Sequence, residues 1–345
     1  MKFNKNNINY FIGDFENCYT GYSNDEEIRN GAASGGIVSG VLINLLKENK
    51  IQGALVSRMQ IKDGKLIAES FIAKSKEEIL DARTSIYFET PLLSKIQEIK
   101  SFKGKLAVVG VPCQITALRK ICKDKISYYI GLFCGHNSKK DLILKVLKKK
   151  NIDLDKVKRF YFRKGMWRGK SFIEFKDGSK REFPFTSFSV YQNLHFLSQK
   201  KCIVCSDHCA ENADLSCGDI WTKEYKKREI KHSAFVSRNK EMDKILHKSN
   251  LNLEEVPPLM IAKAQKRSLI YHKSINSRSF VGKFFGYKIP KNDIDKIRLN
   301  DLISAFIIMV NDKVSDTKSL RNLMFKVPKK VMNLYLYFFK ILTNF

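Results

Sequence analysis

The chain has 345 residues, of which 43% are hydrophobic and 28% are charged, and its formal net charge at pH 7 is +28. This composition is that of a globular protein long enough for about two domains, so it excludes a disordered chain and a small disulfide-stabilised fold. No apolar run approaches the roughly 18 residues that a membrane-spanning helix needs.

The start of the chain lacks the apolar stretch and cleavage site of a secretory signal peptide. We therefore expect a cytoplasmic protein whose eight cysteines are reduced. The positive charge has two explanations, a lysine-rich genome composition or an anionic partner such as nucleic acid, a membrane surface or an acidic electron carrier. Basic residues are dispersed along the whole sequence, so specific nucleic-acid binding is not expected.

The first half of the chain alternates strands and helices. Small residues form a loop over Gly31–Gly36, and an amphipathic helix is predicted from Ile37. Backbone N–H groups at such a helix start can hold an anion, although a plain turn is the commoner role. Buried strands are predicted at Gly53–Val56, Lys105–Val111 and Ile126–Phe133, and helices at Lys76–Ala82, after Pro112 and at Asp141–Lys148. This order predicts an open, partly parallel sheet.

The second half has a different pattern. Short strands are predicted at Val157–Arg163, Phe172–Phe175 and Arg181–Phe183. The turn Asp177-Gly178 joins the last two as a hairpin, which indicates an antiparallel section. Beyond residue 255 the pattern is mostly helical. We predict a mixed α/β (α+β) fold with an N-terminal domain over 1–110, a cysteine-bearing domain over 111–255 and a basic helical extension over 256–345.

The last twenty residues, 326–345, are basic and aromatic-rich. Such a segment fits peripheral contact with a membrane surface, or a helix that docks on the core or on a partner subunit. The sequence leaves both interpretations open.

Two cysteines follow predicted strands directly. Cys113 comes after Lys105–Val111, and Cys134 comes after Ile126–Phe133. If these strands are parallel neighbours, both thiols emerge at the sheet edge where open α/β folds bind ligands. Cys113 also begins a helix, where the helix dipole favours the thiolate.

A Cys-x-x-Cys pair at Cys202 and Cys205 could bind a metal centre from one tight turn. Two different sets of four cysteines could then bind the metal centre. One set joins this pair to Cys113 and Cys134, and the other is the local set Cys202, Cys205, Cys209 and Cys217. Spacing alone does not separate zinc from an iron–sulfur cluster. We expect Cys18 and Cys122 to be ordinary buried side chains.

Several motifs together resemble the coenzyme F420 hydrogenase/dehydrogenase beta-subunit family. They span roughly residues 18 to 240 in the order of the family. The matching segments are Ala33-Ser-Gly-Gly-Ile-Val-Ser39, Ser85-Ile-Tyr87, Gly110-Val-Pro-Cys-Gln114, Ile130-Gly-Leu-Phe-Cys-Gly135, Arg163-Lys-Gly-Met-Trp167, Cys202-Ile-Val-Cys205 and Ala213-Asp-Leu-Ser-Cys-Gly-Asp219.

The resemblance implies an oxidoreductase that contains FAD and a [4Fe-4S] cluster and that uses coenzyme F420 or a similar hydride acceptor. The implied cluster ligands are Cys113, Cys134, Cys202 and Cys205. The implied flavin-site residues are Ser34, Gly35, Gly36, Ser39, Ser85 and Tyr87.

The chain departs from the family pattern at two places. Relatives commonly have lysine in Ser-x-Tyr where this chain has Ile86, which removes one cation from the implied flavin site. Only Cys18 lies near the N-terminus, where many relatives carry a ferredoxin module, so a separate ferredoxin-like carrier or partner subunit is expected, and the chain could also form oligomers. Some relatives are associated with surface-polysaccharide genes, so the acceptor stays open.

Five other polar or aromatic residues have two interpretations each. His136 and His208 could tune a cluster or be simple neighbours, and Trp167 and Trp221 could pack on a cofactor ring or in the core. Asp219 could orient a turn beside the cluster or the flavin. The alternative to a redox enzyme is a basic, zinc-stabilised binding or scaffold protein.

Overall fold

The computed structural model describes residues 3–166 and 169–343. Trp167, for which packing on a cofactor ring and packing in the core were both open, lies outside the described residues. The strands are β1 (Asn17–Ser23), β2 (Gly53–Lys62), β3 (Lys65–Ala73), β4 (Leu106–Gly110), β5 (Ile126–Leu132), β6 (Val157–Lys164), β7 (Lys170–Phe175), β8 (Lys180–Pro184), β9 (Leu215–Asp219), β10 (Ser233–Ser237) and β11 (Leu251–Glu255).

The helices surround these strands and dominate the C-terminal third. They are α1 (Ile8–Ile12), α2 (Glu26–Gly31), α3 (Ile37–Lys47), α4 (Lys76–Asp81), α5 (Ile96–Ser101), α6 (Pro112–Ile121), α7 (Lys140–Lys149), α8 (Thr186–Asn193), α9 (Lys200–Ile203), α10 (Lys223–Lys226), α11 (Lys240–Lys248), α12 (Pro258–Ala264), α13 (Lys266–Lys273), α14 (Ile275–Gly282), α15 (Leu299–Asp316), α16 (Lys318–Lys326) and α17 (Lys329–Thr343).

The central feature is a mixed sheet. Among the described residues it has eight strands, in the order β11-β1-β10-β9-β5-β4-β2-β3. The pairs β2–β4, β4–β5 and β5–β9 are parallel, and the flanking pairs are antiparallel. The predicted parallel neighbours β4 and β5 are confirmed, and strands from both sides of the predicted boundary at residue 110 share this sheet.

A smaller antiparallel sheet, β6-β7-β8, follows the parallel section as the sequence predicts. The turn between β7 and β8 contains Gly178 at a positive φ of 84°, a conformation that glycine adopts without strain. The β2–β3 hairpin was not predicted, although its turn carries the same kind of signal, Asp63-Gly64.

Helix α3 shows why the small-residue loop is needed. Gly36 precedes the helix at a positive φ of 84°. An added Cβ on Gly35 would lie 2.4 Å from the carbonyl oxygen of Gly21 in β1, so only glycine allows the loop to pass this close to the strand. The apolar face of α3 then packs on the sheet through Ile37, Val41, Leu42 and Leu45.

The C-terminal helices are part of the body of the protein. Met332, Leu336 and Phe339 of α17 belong to the largest apolar core, together with side chains from α7 and α8. Within the described residues, none of the helices combines the length and the apolar character that a bilayer crossing requires.

Candidate redox site

The carboxyl edge of the parallel strands gathers the functional side chains. Cys113 lies at the start of α6, just after β4, and Cys134 lies two residues after β5. Strand β9, the next parallel neighbour of β5, ends at Asp219. The topology therefore brings two predicted ligands and one predicted orienting carboxylate to one side of the sheet.

Four thiols line one cavity of about 40 Å³ at this edge. They belong to the four cysteines implied by the resemblance, Cys113, Cys134, Cys202 and Cys205. The other lining residues include Glu89, Thr90, Gln114, His136, Asn137, Lys201, Asp207 and His272. Three separate segments of the chain thus contribute sulfur to the same space.

The thiols differ in exposure and in partners. Cys113 is exposed, whereas Cys202 is buried. The backbone N–H of Asn137 donates a hydrogen bond of 3.3 Å to Sγ of Cys202. Such a bond stabilises a thiolate.

Burial raises the pKa of Cys134, Cys202 and Cys205. The pKa of Cys202 rises to about 12 because burial disfavours the thiolate, while the bond from Asn137 opposes the rise. The pKa of Cys134 lies well above its ordinary value, first through burial and then through the nearby Cys202, Cys205 and Cys113. A metal centre must displace these protons, so binding releases protons into solution.

The Cys-x-x-Cys turn is held from below by helices α13 and α14. The guanidinium of the buried Arg278 donates to the carbonyl oxygens of Ile203 at 2.6 Å and Cys205 at 2.9 Å. The ring nitrogens of His272 lie 3.1 Å from the carbonyl oxygen of Cys205 and 2.7 Å from that of Gly135. The C-terminal helices therefore fix the position of the cysteine turn.

The two other cysteines near this turn lie elsewhere. Cys209 packs in the core beneath α1 and α12, and Cys217 packs between the sheet and α3. Cys18 and Cys122 are also buried in apolar cores, as expected. Within 3–166 and 169–343, no three His, Cys, Asp or Glu side chains are close enough together to hold one metal ion.

A second cavity lies beside β9. Its lining combines cations with aromatic rings and includes Ser34, Arg163, Trp221, Tyr225, Arg228, Lys231 and His232. Lys231 donates to the carbonyl oxygen of Ala32 at 2.8 Å. Burial, followed by the charge of Arg163, lowers the pKa of Lys231 to about 8.

Arg163 joins the motifs around this second cavity. Its guanidinium bonds both carboxylate oxygens of Asp219, at 2.6 and 2.9 Å, and donates to the carbonyl oxygen of Ala33 at 3.1 Å. It also donates to the hydroxyl of Tyr87 at 3.2 Å and lies 5.0 Å from the ring centre of Trp221. Asp219 thus holds the guanidinium of Arg163 in place at the wall of this cavity.

The predicted flavin residues fall into two groups. Ser34 lines the second cavity, and Tyr87 reaches it through Arg163. Gly35 and Ser39 pack behind the wall, where the Gly35 N–H donates to Oγ of Ser233 at 3.0 Å. Gly36 forms the start of α3, and Ser85 lies partly buried two residues before Tyr87.

Hydrogen bonds connect the two cavities. Nε2 of Gln265 donates to the carbonyl oxygen of Asp219. Its Oε1 lies 3.2 Å from Nε2 of His208, and the carbonyl oxygen of His208 accepts from the Cys134 N–H at 2.9 Å. Burial lowers the pKa of His208 to about 4, so its ring is neutral and the nitrogen that faces Gln265 carries the proton.

Both cavities have residues suited to redox cofactors. Soft sulfur ligands on the wall of one cavity suit zinc or an iron–sulfur cluster. The paired cations and the indole of Trp221 suit an anionic, aromatic cofactor such as a flavin nucleotide. Arg278, His272 and Gln265 were missed by sequence reasoning, because no local pattern marks a residue whose partners lie 46 to 75 positions away in the chain.

Comparison with known proteins covers most of the chain. The family described as coenzyme F420 hydrogenase/dehydrogenase, beta subunit, matches residues 18–97 with its N-terminal part and 103–258 with its C-terminal part. The coenzyme F420-dependent sulfite reductase of Methanocaldococcus jannaschii is 28% identical over 67% of this chain and 38% of its own length. The coenzyme F420 hydrogenase subunit beta of Methanosarcina barkeri is 30% identical over 61% of this chain and 72% of its own length.

A solved structure supports the fold. A chain of the F420-reducing [NiFe] hydrogenase complex from Methanosarcina barkeri superposes with a TM-score of 0.62 at 24% identity, over 85% of this chain and 99% of that chain. The two family matches together span well over half of the sequence. The chain therefore belongs to the coenzyme F420 hydrogenase/dehydrogenase beta-subunit family of oxidoreductases.

Proposed function

We propose that the chain is an iron–sulfur flavoprotein that passes electrons between a [4Fe-4S] cluster and a hydride-accepting substrate. One observation carries the proposal: four cysteines from three separate segments line a single cavity. The family relatives named as F420-dependent enzymes support the redox assignment. We further propose that the protein works in the cytoplasm with a separate ferredoxin-like carrier or partner subunit.

The first cavity holds the cluster in this proposal. Cys113, Cys134, Cys202 and Cys205 supply the sulfur ligands. The Asn137 N–H bond to Cys202 and the charge of Arg278 beneath the turn favour thiolates over thiols. The exposed Cys113 marks the side on which an electron carrier can approach.

The second cavity holds FAD in this proposal. When bound, a flavin exchanges hydride with a substrate and exchanges electrons singly with an iron–sulfur cluster. Arg163, kept in place by Asp219, and Lys231 supply positive charge for the anionic part of the nucleotide, and Ser34 lines the same wall. The cationic lining also suits an acidic substrate such as coenzyme F420 or a similar hydride acceptor.

The hydrogen-bonded connection between the two cavities supports electron transfer between the two proposed cofactors. The chain of bonds Asp219–Gln265–His208–Cys134 joins one wall to the other. His208 is neutral and buried, so it adds no charge between the two centres. We propose that this connection sets the spacing of the two cofactors.

Replacing cysteines one at a time tests the cluster assignment. We expect Cys113→Ala, Cys134→Ala, Cys202→Ala and Cys205→Ala to lose iron and acid-labile sulfide after anaerobic purification. The matched control is Cys122→Ala, which changes a buried cysteine in a separate core and should retain both. Full iron in all four variants, or zinc in place of iron in the natural protein, would refute the assignment.

A further inference from the structure

Helix α17 is apolar on two sides. One side carries Met332, Leu336, Phe339 and Thr343, which are buried against the body of the protein. The opposite side carries Val331, Leu334, Tyr337, Phe338, Ile341 and Leu342, each between 51% and 59% exposed. At 3.6 residues per turn these six side chains cover about 140° of the helix circumference, a continuous stripe. We call these six residues the outer stripe.

The helix is firmly attached, so the outer stripe is a fixed surface. Lys329 donates to Oγ1 of Thr186 at 3.1 Å, and the hydroxyl of Tyr335 donates to Oδ1 of Asn311 at 2.9 Å. The inner side belongs to the largest core. The inner side of α17 is therefore buried in the protein core, whereas the outer stripe stays exposed to solvent. Exposed apolar stripes of this kind mark contact surfaces.

Charge identifies the occupant. Helices α16 and α17 contain six basic residues, Lys318, Arg321, Lys326, Lys329, Lys330 and Lys340, and no Asp or Glu. When the residues are placed at 3.6 per turn, Lys330 falls within the outer stripe, and Lys329 and Lys340 fall on one flank of the helix, about 60° to 80° from the edge of the stripe. A second copy of a chain with net charge +28 would be repelled.

An anionic lipid bilayer is complementary both to the apolar side chains of the outer stripe and to the basic residues of α16 and α17. A helix with an exposed apolar, aromatic side and with lysines within and beside it can lie in the plane of a membrane interface, with the apolar side among the acyl chains and the cations among the phosphates. A protein partner would instead need a groove shaped to this ridge. We propose that the outer stripe of α17 docks the protein on an anionic membrane surface. This is peripheral contact, and it is independent of the redox proposal.

Vesicle co-sedimentation of the full chain tests the proposal. We expect binding to vesicles of phosphatidylcholine with one third phosphatidylglycerol and little binding to phosphatidylcholine alone, and we expect binding to weaken as salt is raised. The variant Leu334→Glu/Phe338→Glu places two charges in the outer stripe and should weaken binding by at least about tenfold. Both side chains are more than half exposed, so the fold tolerates the change.

The matched control is Leu93→Glu/Ile121→Glu, which adds the same charge at two exposed apolar positions outside the C-terminal helices. It should bind vesicles like the natural protein. Three results would overturn the proposal: no binding to anionic vesicles, equal loss in both double variants, or unchanged binding by Leu334→Glu/Phe338→Glu. An acidic protein that binds the outer stripe in solution and excludes the vesicles would also overturn it.

Discussion

The ion pair between Arg163 and Asp219 provides a demanding test of how the second cavity is built. The perturbation is Asp219→Asn, which keeps the shape of the side chain and removes its charge. Arg163 is 4% exposed and Asp219 is 21% exposed. The variant therefore leaves a buried guanidinium without its counter-charge.

The magnitude follows from this burial. Two unit charges about 4 Å apart attract by roughly 4 kcal/mol at an effective dielectric constant of 20. Removing one partner of a buried pair costs about 3 to 5 kcal/mol. Because Asp219 keeps some contact with water, we expect the lower end, a loss of about 3 kcal/mol in the free energy of unfolding.

The assay is urea unfolding of the cofactor-free protein, followed by circular dichroism and analysed by linear extrapolation. The control is Glu182→Gln, which breaks the exposed pair between Lys170 and Glu182, whose side chains are 66% and 47% exposed. It should cost less than about 1 kcal/mol. Equal losses in the two variants would refute the reasoning that burial makes the Arg163 pair special.

Three further predictions concern the two cavities. The pKa of Lys231 is lowered to about 8, so its side chain is charged below that pH and neutral above it. Between pH 7 and pH 9 the affinity for FAD, measured by fluorescence quenching, should therefore fall about tenfold. The affinity of the Lys231→Arg variant should not change over this range, because arginine stays charged. Arg278→Lys should lose iron during anaerobic gel filtration, because an ammonium cannot reproduce the bonds to Ile203 and Cys205, and full retention would contradict this. Gln265→Leu leaves a buried His208 nitrogen unpaired and should lower the free energy of unfolding, measured in urea, by about 1 to 3 kcal/mol. An unchanged unfolding midpoint would show that this hydrogen bond does not stabilise the protein.

Local signals were enough to predict much of the fold. The apolar run before Cys113 and the Asp177-Gly178 turn depend only on neighbouring residues, and both elements form where they were predicted. Parallel pairing of β4 and β5 then follows from the short crossover through α6. The position of Cys113 and Cys134 at one edge was therefore within reach of the sequence.

The residues that hold the site in place could not be predicted from the sequence. Arg278 and His272 lie in helices whose sequence is polar and unremarkable, and they contact Cys205 across 73 and 67 positions of the chain. Likewise, the role of Arg163 depends on three segments that meet only in the folded protein. Such contacts arise from tertiary packing, so periodicity and spacing carry no trace of them.

The central claim is that one chain holds a flavin and a cluster that exchange electrons. An anaerobic titration with dithionite, followed by absorbance, tests it most directly. The account predicts uptake of about three electrons per chain, two by the flavin and one by the cluster, and about two in Cys202→Ala. A natural protein that takes up no electrons and contains zinc would contradict the account.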